Sequence, residues 1–334
     1  MCSSDLAVER DGRRPPPEEI ELIDVTADDV AKRDDLAGLA GHRLFIAHSQ
    51  GLIRLDTDSG TITRLDGSEL SGSLIGRFRD QLILLDGQNR VTAVPVDDPM
   101  RESTLLFELQ AVAVTAARMI DDHRLALSLW GPEFQRSAAH ERLLIDLESG
   151  DTVTLDSGWR ADDLTWVPGG GLFEYVDGRY RHLADGIPLV AAEHRVLVRG
   201  CTGPEDCDNQ WIDRQTGDNL DGYAPPEEWW EMQAIDPDGR VLFVNDAEGH
   251  RYFDTEHGWL LPTNVVRGTG GSYFDTPAED LIAGRYLVAP TILGIVIYDL
   301  STDDGFLLDV GEPEPRGITN IVAVPKPNRW SRSP

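Results

Sequence analysis

One short phrase recurs five times along this chain: an apolar residue, an Asp, two variable positions and a small turn pair. It reads Leu55-Asp56-Thr57-Asp58-Ser59-Gly60, Ile145-Asp146-Leu147-Glu148-Ser149-Gly150 and Ile212-Asp213-Arg214-Gln215-Thr216-Gly217. Looser copies are Phe253-Asp254-Thr255-Glu256-His257-Gly258 and Tyr298-Asp299-Leu300-Ser301-Thr302-Asp303. Period-two alternation flanks them, as around Leu52 and Arg54 before the first copy and Ile62 and Arg64 after it. Each copy is therefore predicted to be a β-hairpin tip. Hairpins repeated every few tens of residues restrict the chain to a repeat architecture.

A second repeat precedes the first, an apolar strand usually led by Arg. Its copies begin at His42-Arg43, His123-Arg124, His194-Arg195, Gly239-Arg240 and Gly284-Arg285, with weaker ones at Asp80-Gln81 and Gly170-Gly171. The seven copies are 38, 43, 47, 24, 45 and 45 residues apart. A continuously apolar strand, an alternating strand and a hairpin partner, in that order, make a propeller blade. The reading is all-β, a seven-bladed propeller of antiparallel strands, with six or eight blades as alternatives. The 24-residue interval between Gly171 and Arg195 barely holds four strands. Only Asp28–Leu36 and Val112–Ile120 hint at helix. Residues 1–35 read as a flexible tether, 36–325 as one propeller domain and 326–334 as a tail. Ring closure should recruit Leu22–Val25, Ile318–Val324 or both, because an open ring leaves an exposed sheet edge.

The phrase at Asp213, with its relatives at Asp56 and Asp146, resembles the repeat of pyrroloquinoline-quinone-type propellers, within the broader WD40-like repeat superfamily. That family carries a docking Trp four positions after the Gly. Here those positions hold Arg64, Thr154, Asp221, Pro262 and Leu307. The resemblance implies the fold and leaves the quinone chemistry without support; no cofactor is expected.

A net charge of −29 repels phosphate backbones and anionic head groups, which argues against nucleic acid as a partner. No apolar run is long enough to cross a bilayer as a helix. Met1-Cys2-Ser3-Ser4-Asp5, followed by a polar stretch through Pro17, resembles a bacterial lipoprotein whose leader has been removed, with Cys2 lipidated. Cys201 and Cys207 close a small polar loop with too few neighbouring ligands for a metal, so a local disulfide is predicted. Disulfides persist outside the reducing cytosol, which points to an extracytoplasmic, envelope-associated or secreted protein.

No catalytic motif stands out among the eight scattered histidines, and no metal site is expected: Asp and Gly are ordinary turn residues. The long connections fall at Trp130–His140, Gly200–Gln210, Tyr223–Trp230 and Thr263–Glu279. In a propeller these loop classes share one face. They carry Trp130, Phe134, Arg136, Trp229, Trp230, Arg267, Tyr273 and Phe274, residue types enriched at contact hot spots. The expectation is a monomeric, non-catalytic propeller that binds a protein or glycan partner there, touching a membrane only through Cys2. The alternative is an extracytoplasmic polysaccharide lyase or hydrolase with its site over the central channel.

Overall fold

The computed structural model describes residues 14–48, 51–65, 73–99, 103–109, 113–130, 141–155, 163–201, 207–225, 231–246, 249–265, 280–291, 293–311 and 318–326. After β1 (Leu22–Thr26) come a short helix, α1 (Ala27–Val30), and a 3-10 turn, Asp34–Leu39. Blade 1 holds β2 (His42–His48), β3 (Gly51–Asp56) and β4 (Thr61–Leu65). Blade 2 is β5 (Ser73–Phe78), β6 (Gln81–Leu85), β7 (Arg90–Pro95) and β8 (Thr104–Glu108). Blade 3 is β9 (Ala113–Met119), β10 (Arg124–Trp130), β11 (Glu141–Asp146) and β12 (Thr152–Leu155). Blade 4 holds β13 (Leu164–Val167), β14 (Gly171–Val176) and β15 (Arg179–Ala184). Blade 5 is β16 (Ile187–Ala191), β17 (Arg195–Cys201), β18 (Cys207–Asp213) and β19 (Asn219–Leu220). Blade 6 is β20 (Glu231–Ala234), β21 (Val241–Asp246), β22 (Gly249–Asp254) and β23 (Trp259–Leu260). Blade 7 is β24 (Asp280–Ile282), β25 (Tyr286–Pro290), β26 (Ile295–Asp299) and β27 (Asp304–Asp309), and the chain then returns to blade 1 as β28 (Ile318–Pro325).

Seven antiparallel sheets result, so the all-β seven-bladed reading holds. Both spare strands close the ring. β28 pairs antiparallel with β2 as the innermost strand of blade 1, and β1 adds to β27 in parallel as a fifth strand of blade 7. The stretch read as tether is thus ordered from its middle onward: Asn264 bonds the Ile20 backbone through both ends of its amide, at 3.2 and 2.6 Å. Of the two helix hints, the first is α1 with the 3-10 turn, but Val112–Ile120 yields β9 instead. Pairing with β10 at six positions overrides its local propensity.

The anomalous 24-residue interval has a topological cause. Six copies of the apolar repeat are second strands. Gly170–Glu174 lies in β14, whose direction is that of a third strand, because β15 must rise to enter β16 through only Asp185 and Gly186. β13 is the second strand of blade 4. Residues 156–162, which precede β13, lie outside the described residues.

The core is distributed as one apolar cluster at each blade interface. Those clusters range from nineteen buried residues at the seam between blades 7 and 1 to five between blades 3 and 4. Where apolar burial is thinnest, a buried ionic network spans blades 3 to 5. Arg214, 4% exposed, donates to Glu174 at 2.7 and 2.9 Å and to Asp163 at 2.5 Å. Arg124 meets the same Asp163 at 3.1 Å, and Arg181 pairs with Glu174. Burial opposes the Arg124 charge, but Asp163 and Asp121 more than offset it and raise its pKa.

The two sequence repeats are the two sides of one cross-strand pair. Arg43 lies opposite Asp56, Arg124 opposite Asp146 and Arg195 opposite Asp213. Each Asp ends a third strand, and its Oδ1 accepts the next turn's N–H groups, as at 2.8 and 2.9 Å in Asp146 and 2.8 Å twice in Asp213. The turn closes on a left-handed residue, Gly150 at φ 79° and Gly217 at φ 79°, where a side chain would be strained. Four of the leading Arg side chains cross to the next blade, whereas Arg285 pairs with Asp299 of its own. Arg43 reaches Asp97 of blade 2, Arg124 reaches Asp163 of blade 4, and Arg240 reaches the Gly284 carbonyl of blade 7. Arg195 donates to Gly239 O at 2.9 Å and Thr255 Oγ1 at 2.7 Å of blade 6, with its guanidinium 4.1 Å from the Trp211 ring centroid. This arginine ladder docks blades where the docking tryptophans are missing.

Candidate functional site

Strand ends divide the molecule into two faces. Turns between first and second strands, and between third and fourth, share one face and hold at most eight residues. Connections from second to third strands, and from blade to blade, share the other and hold the long segments 131–140, 221–230 and 261–279. Of the residues expected to bind there, Trp130 ends β10. Phe134, Arg136, Trp229, Trp230, Arg267, Tyr273 and Phe274 lie outside the described residues, as does Cys2. Cys201 and Cys207 face each other across β17 and β18 and form the predicted disulfide.

The turn face opens into an axial cavity of 670 Å³, within the range of small-molecule sites. Its walls are the first strands β5, β9, β20, β24 and β28 and the turns that follow them. Apolar side chains, among them Ile75, Phe78, Met119 and Ile235, separate ionisable ones. Six carboxyl groups line it (Asp121, Asp122, Glu148, Glu193, Asp236 and Asp280) against three arginines, Arg77, Arg79 and Arg118.

Several of these groups are committed to structure. Asp121 accepts from the backbone of His123 and Arg124 at 3.0 and 2.8 Å and from Arg124 Nε at 2.5 Å. Asp236 caps its turn through the N–H groups of Asp238, Arg240 and Val241 at 3.1, 3.1 and 2.9 Å, although burial raises its pKa. Arg79 pairs with Glu148. His123 holds Asp122 at 2.8 Å, and that hydrogen bond raises the imidazole pKa. Asp121, Asp122 and His123, like Asp254, Glu256 and His257 on blade 6, each gather potential ligand atoms within 4.8 Å. The oxygens of Asp121 and Asp254 are already engaged by turn N–H groups and by Arg124 or His257, which accounts for both clusters as turns.

Other groups are not committed. Burial, reinforced by Asp121 and Asp122, raises the Glu193 pKa. Asp280 accepts from Ala323 N of β28 at 2.7 Å, and burial pushes its pKa up to about 6 against the opposing pull of that bond and of Arg77. Asn320, 4% exposed, gives its Nδ2 to the Leu74 carbonyl, and its Oδ1 has no partner. No hydrogen bond or ion pair holds Arg77 among the described residues. The signal in sequence was slight: single polar residues in apolar inner strands, such as Asn320 within Ile318–Val324.

No protein-family model matches the chain, and no curated protein matches it. Among solved structures it is similar to TolB from Acinetobacter baumannii, at TM-score 0.48 and 11% identity over 85% of this chain. The chain spans 66% of that TolB chain. It is similar to an oligogalacturonate lyase from Vibrio parahaemolyticus at TM-score 0.45 and 10% identity, over 74% of this chain and 87% of that one. A putative 6-phosphogluconolactonase from Bacteroides fragilis is similar at TM-score 0.45 and 12% identity, over 85% and 98%. These likenesses carry no inference about activity, and the seven-bladed assignment rests on the strand topology.

Proposed function

We propose that this protein is a non-catalytic, extracytoplasmic propeller that captures a protein or glycan partner on its loop face. The observation that carries the reading is the asymmetry of the connections: three segments of 10 to 19 residues fall on one face, and the turns of the other hold at most eight. Long loops on a rigid scaffold are where binding residues collect. The Cys201–Cys207 disulfide supports a location outside the reducing cytosol. Crosslinking in the native envelope, followed by affinity capture and mass spectrometry, tests it. One recurrent partner or glycan, lost on Trp229→Ala with Trp230→Ala in a variant that still melts like the parent, supports the reading. Capture unchanged by the double substitution refutes the loop face.

A second reading, hydrolysis or lyase chemistry on a polysaccharide, is favoured by one observation: Glu193 and Asp280 line the same cavity with raised pKa values, as acid and base groups at working sites do. Turnover lost on Glu193→Gln with the fold intact would establish it.

A further inference from the structure

The axial cavity lies on the turn face, away from the loops assigned to partner capture, and its uncommitted groups form two layers. Inner strands β5 and β28 are neighbours that run in the same direction. Asn320 bonds to Leu74; three residues further along each strand stand Ala323 and Arg77. Asp280 of blade 7 bonds the Ala323 N–H, so Arg77 and Asp280 flank β28 at one level, close enough to interact electrostatically. At the strand rise, Asn320 Cα lies roughly 10 Å deeper.

Each layer asks for particular chemistry. Arg77 is a fork of donors without an acceptor, which suits a carboxylate. Beside it the Asp280 carboxyl, which accepts from Ala323 N, lines the same cavity. Deeper, Asn320 Oδ1 is a buried acceptor without a donor, a state that is costly to leave unrelieved. The wall carries six carboxyl groups against three arginines, inside a chain of net charge −29. A neutral hydroxyl would leave that excess uncompensated, whereas an ammonium compensates it. A plain diamine fits poorly, because its near end would meet Arg77. The apolar side chains in the wall, Ile75, Phe78, Met119 and Ile235 among them, suit a methylene chain.

We propose that the axial cavity binds a small basic amino acid of about lysine's length. Its carboxylate meets Arg77, its α-ammonium meets Asp280, and its terminal ammonium reaches Asn320 Oδ1. The surplus of acid groups around the turn-face mouth draws the cation in.

Calorimetric titration of the full chain at neutral pH tests this with L-lysine, norleucine, which lacks the terminal amine, and cadaverine, which lacks the carboxylate. Lysine should bind, and each analogue should bind roughly tenfold more weakly or worse, the usual penalty for losing one charged hydrogen bond. Norleucine reads the deep end without altering Asn320, whose loss could disturb folding. Arg77→Gln, at an exposed side chain, should lower lysine affinity by a similar factor and leave cadaverine no weaker. No heat with lysine in the millimolar range overturns the proposal. So do equal affinities for the three compounds, or unchanged lysine affinity in Arg77→Gln. The loop-face reading fails separately: Arg77→Gln leaves partner capture intact, and the Trp229 and Trp230 substitutions leave lysine binding intact.

Discussion

Replacing Asp280 by Asn should stabilise the protein, and more so at alkaline than at acid pH. In the folded chain burial raises the carboxyl pKa to about 6 from an ordinary 3.8. A raised carboxyl contributes stability that is fully present below the unfolded pKa and is lost as pH climbs through the folded one. The gap of about two pKa units is worth about 3 kcal/mol at pH 8 and about 1 kcal/mol at pH 4.5. The side-chain amide introduced by Asp280→Asn would still accept from Ala323 N through its oxygen, but it has no charge to desolvate. With an unfolding entropy of roughly 2 cal/mol/K per residue, 3 kcal/mol corresponds to a Tm about 4 °C higher at pH 8, and about 1 °C at pH 4.5. Paired thermal melts of both proteins across that range make the measurement. A Tm gain independent of pH, or a lower Tm for the variant at pH 8, would refute the reasoning. Arg77 and His42 are the charged and titratable neighbours that act on Asp280, and Arg77→Gln in the same background should enlarge the pH-dependent gap. A side chain that lowers stability this much yet lines a cavity is what a binding role predicts.

Arg214→Met should cost about 3–5 kcal/mol in denaturant melts, because Asp163 and Glu174 would remain buried with their shared partner removed. Arg214→Lys should recover only part of that loss, since a point charge cannot serve Glu174, Asp163 and the Ala192 carbonyl in one plane. The double change Cys201→Ser and Cys207→Ser should lower stability by roughly 2 kcal/mol, the loop-closure value for so short a ring, and reductant should have the same effect on the parent alone. Ending the chain before Ile318 removes β28 and exposes the edge of β2; light scattering should report aggregation, and a soluble monomer with an unchanged melt would contradict the closure described here.

Legibility tracked range. The five Asp hairpins could be read from sequence because an Asx turn is made within six residues: Asp213 supplies the acceptor, Gln215 and Thr216 the donors, Gly217 the left-handed close. The apolar repeat was readable for the same reason, since a second strand packed on both faces must be continuously apolar. Blade 4 misled it. Gly171–Val176 has the composition of a second strand, yet only the direction of its neighbours makes it a third. What the leading arginines do was equally hidden: Arg195 finds Gly239 and Thr255 at 44 and 60 residues' distance, a pairing no local pattern announces.

By itself the sequence determined the architecture: hairpin chemistry and strand period are local, and their repetition leaves little but a ring of blades. It also determined the disulfide, whose partners are six residues apart. Tertiary structure alone decided how the ring closes, how an ionic network substitutes for thin apolar packing at blade 4, and which polar groups meet over the axis. Arg77, Asp280 and Asn320 come from three different blades, and their proximity exists only once the ring is shut. Burial then does what sequence cannot express: it leaves Asn320 Oδ1 without a donor and lifts the Asp280 pKa toward neutrality, because desolvation belongs to the cavity and not to the residue.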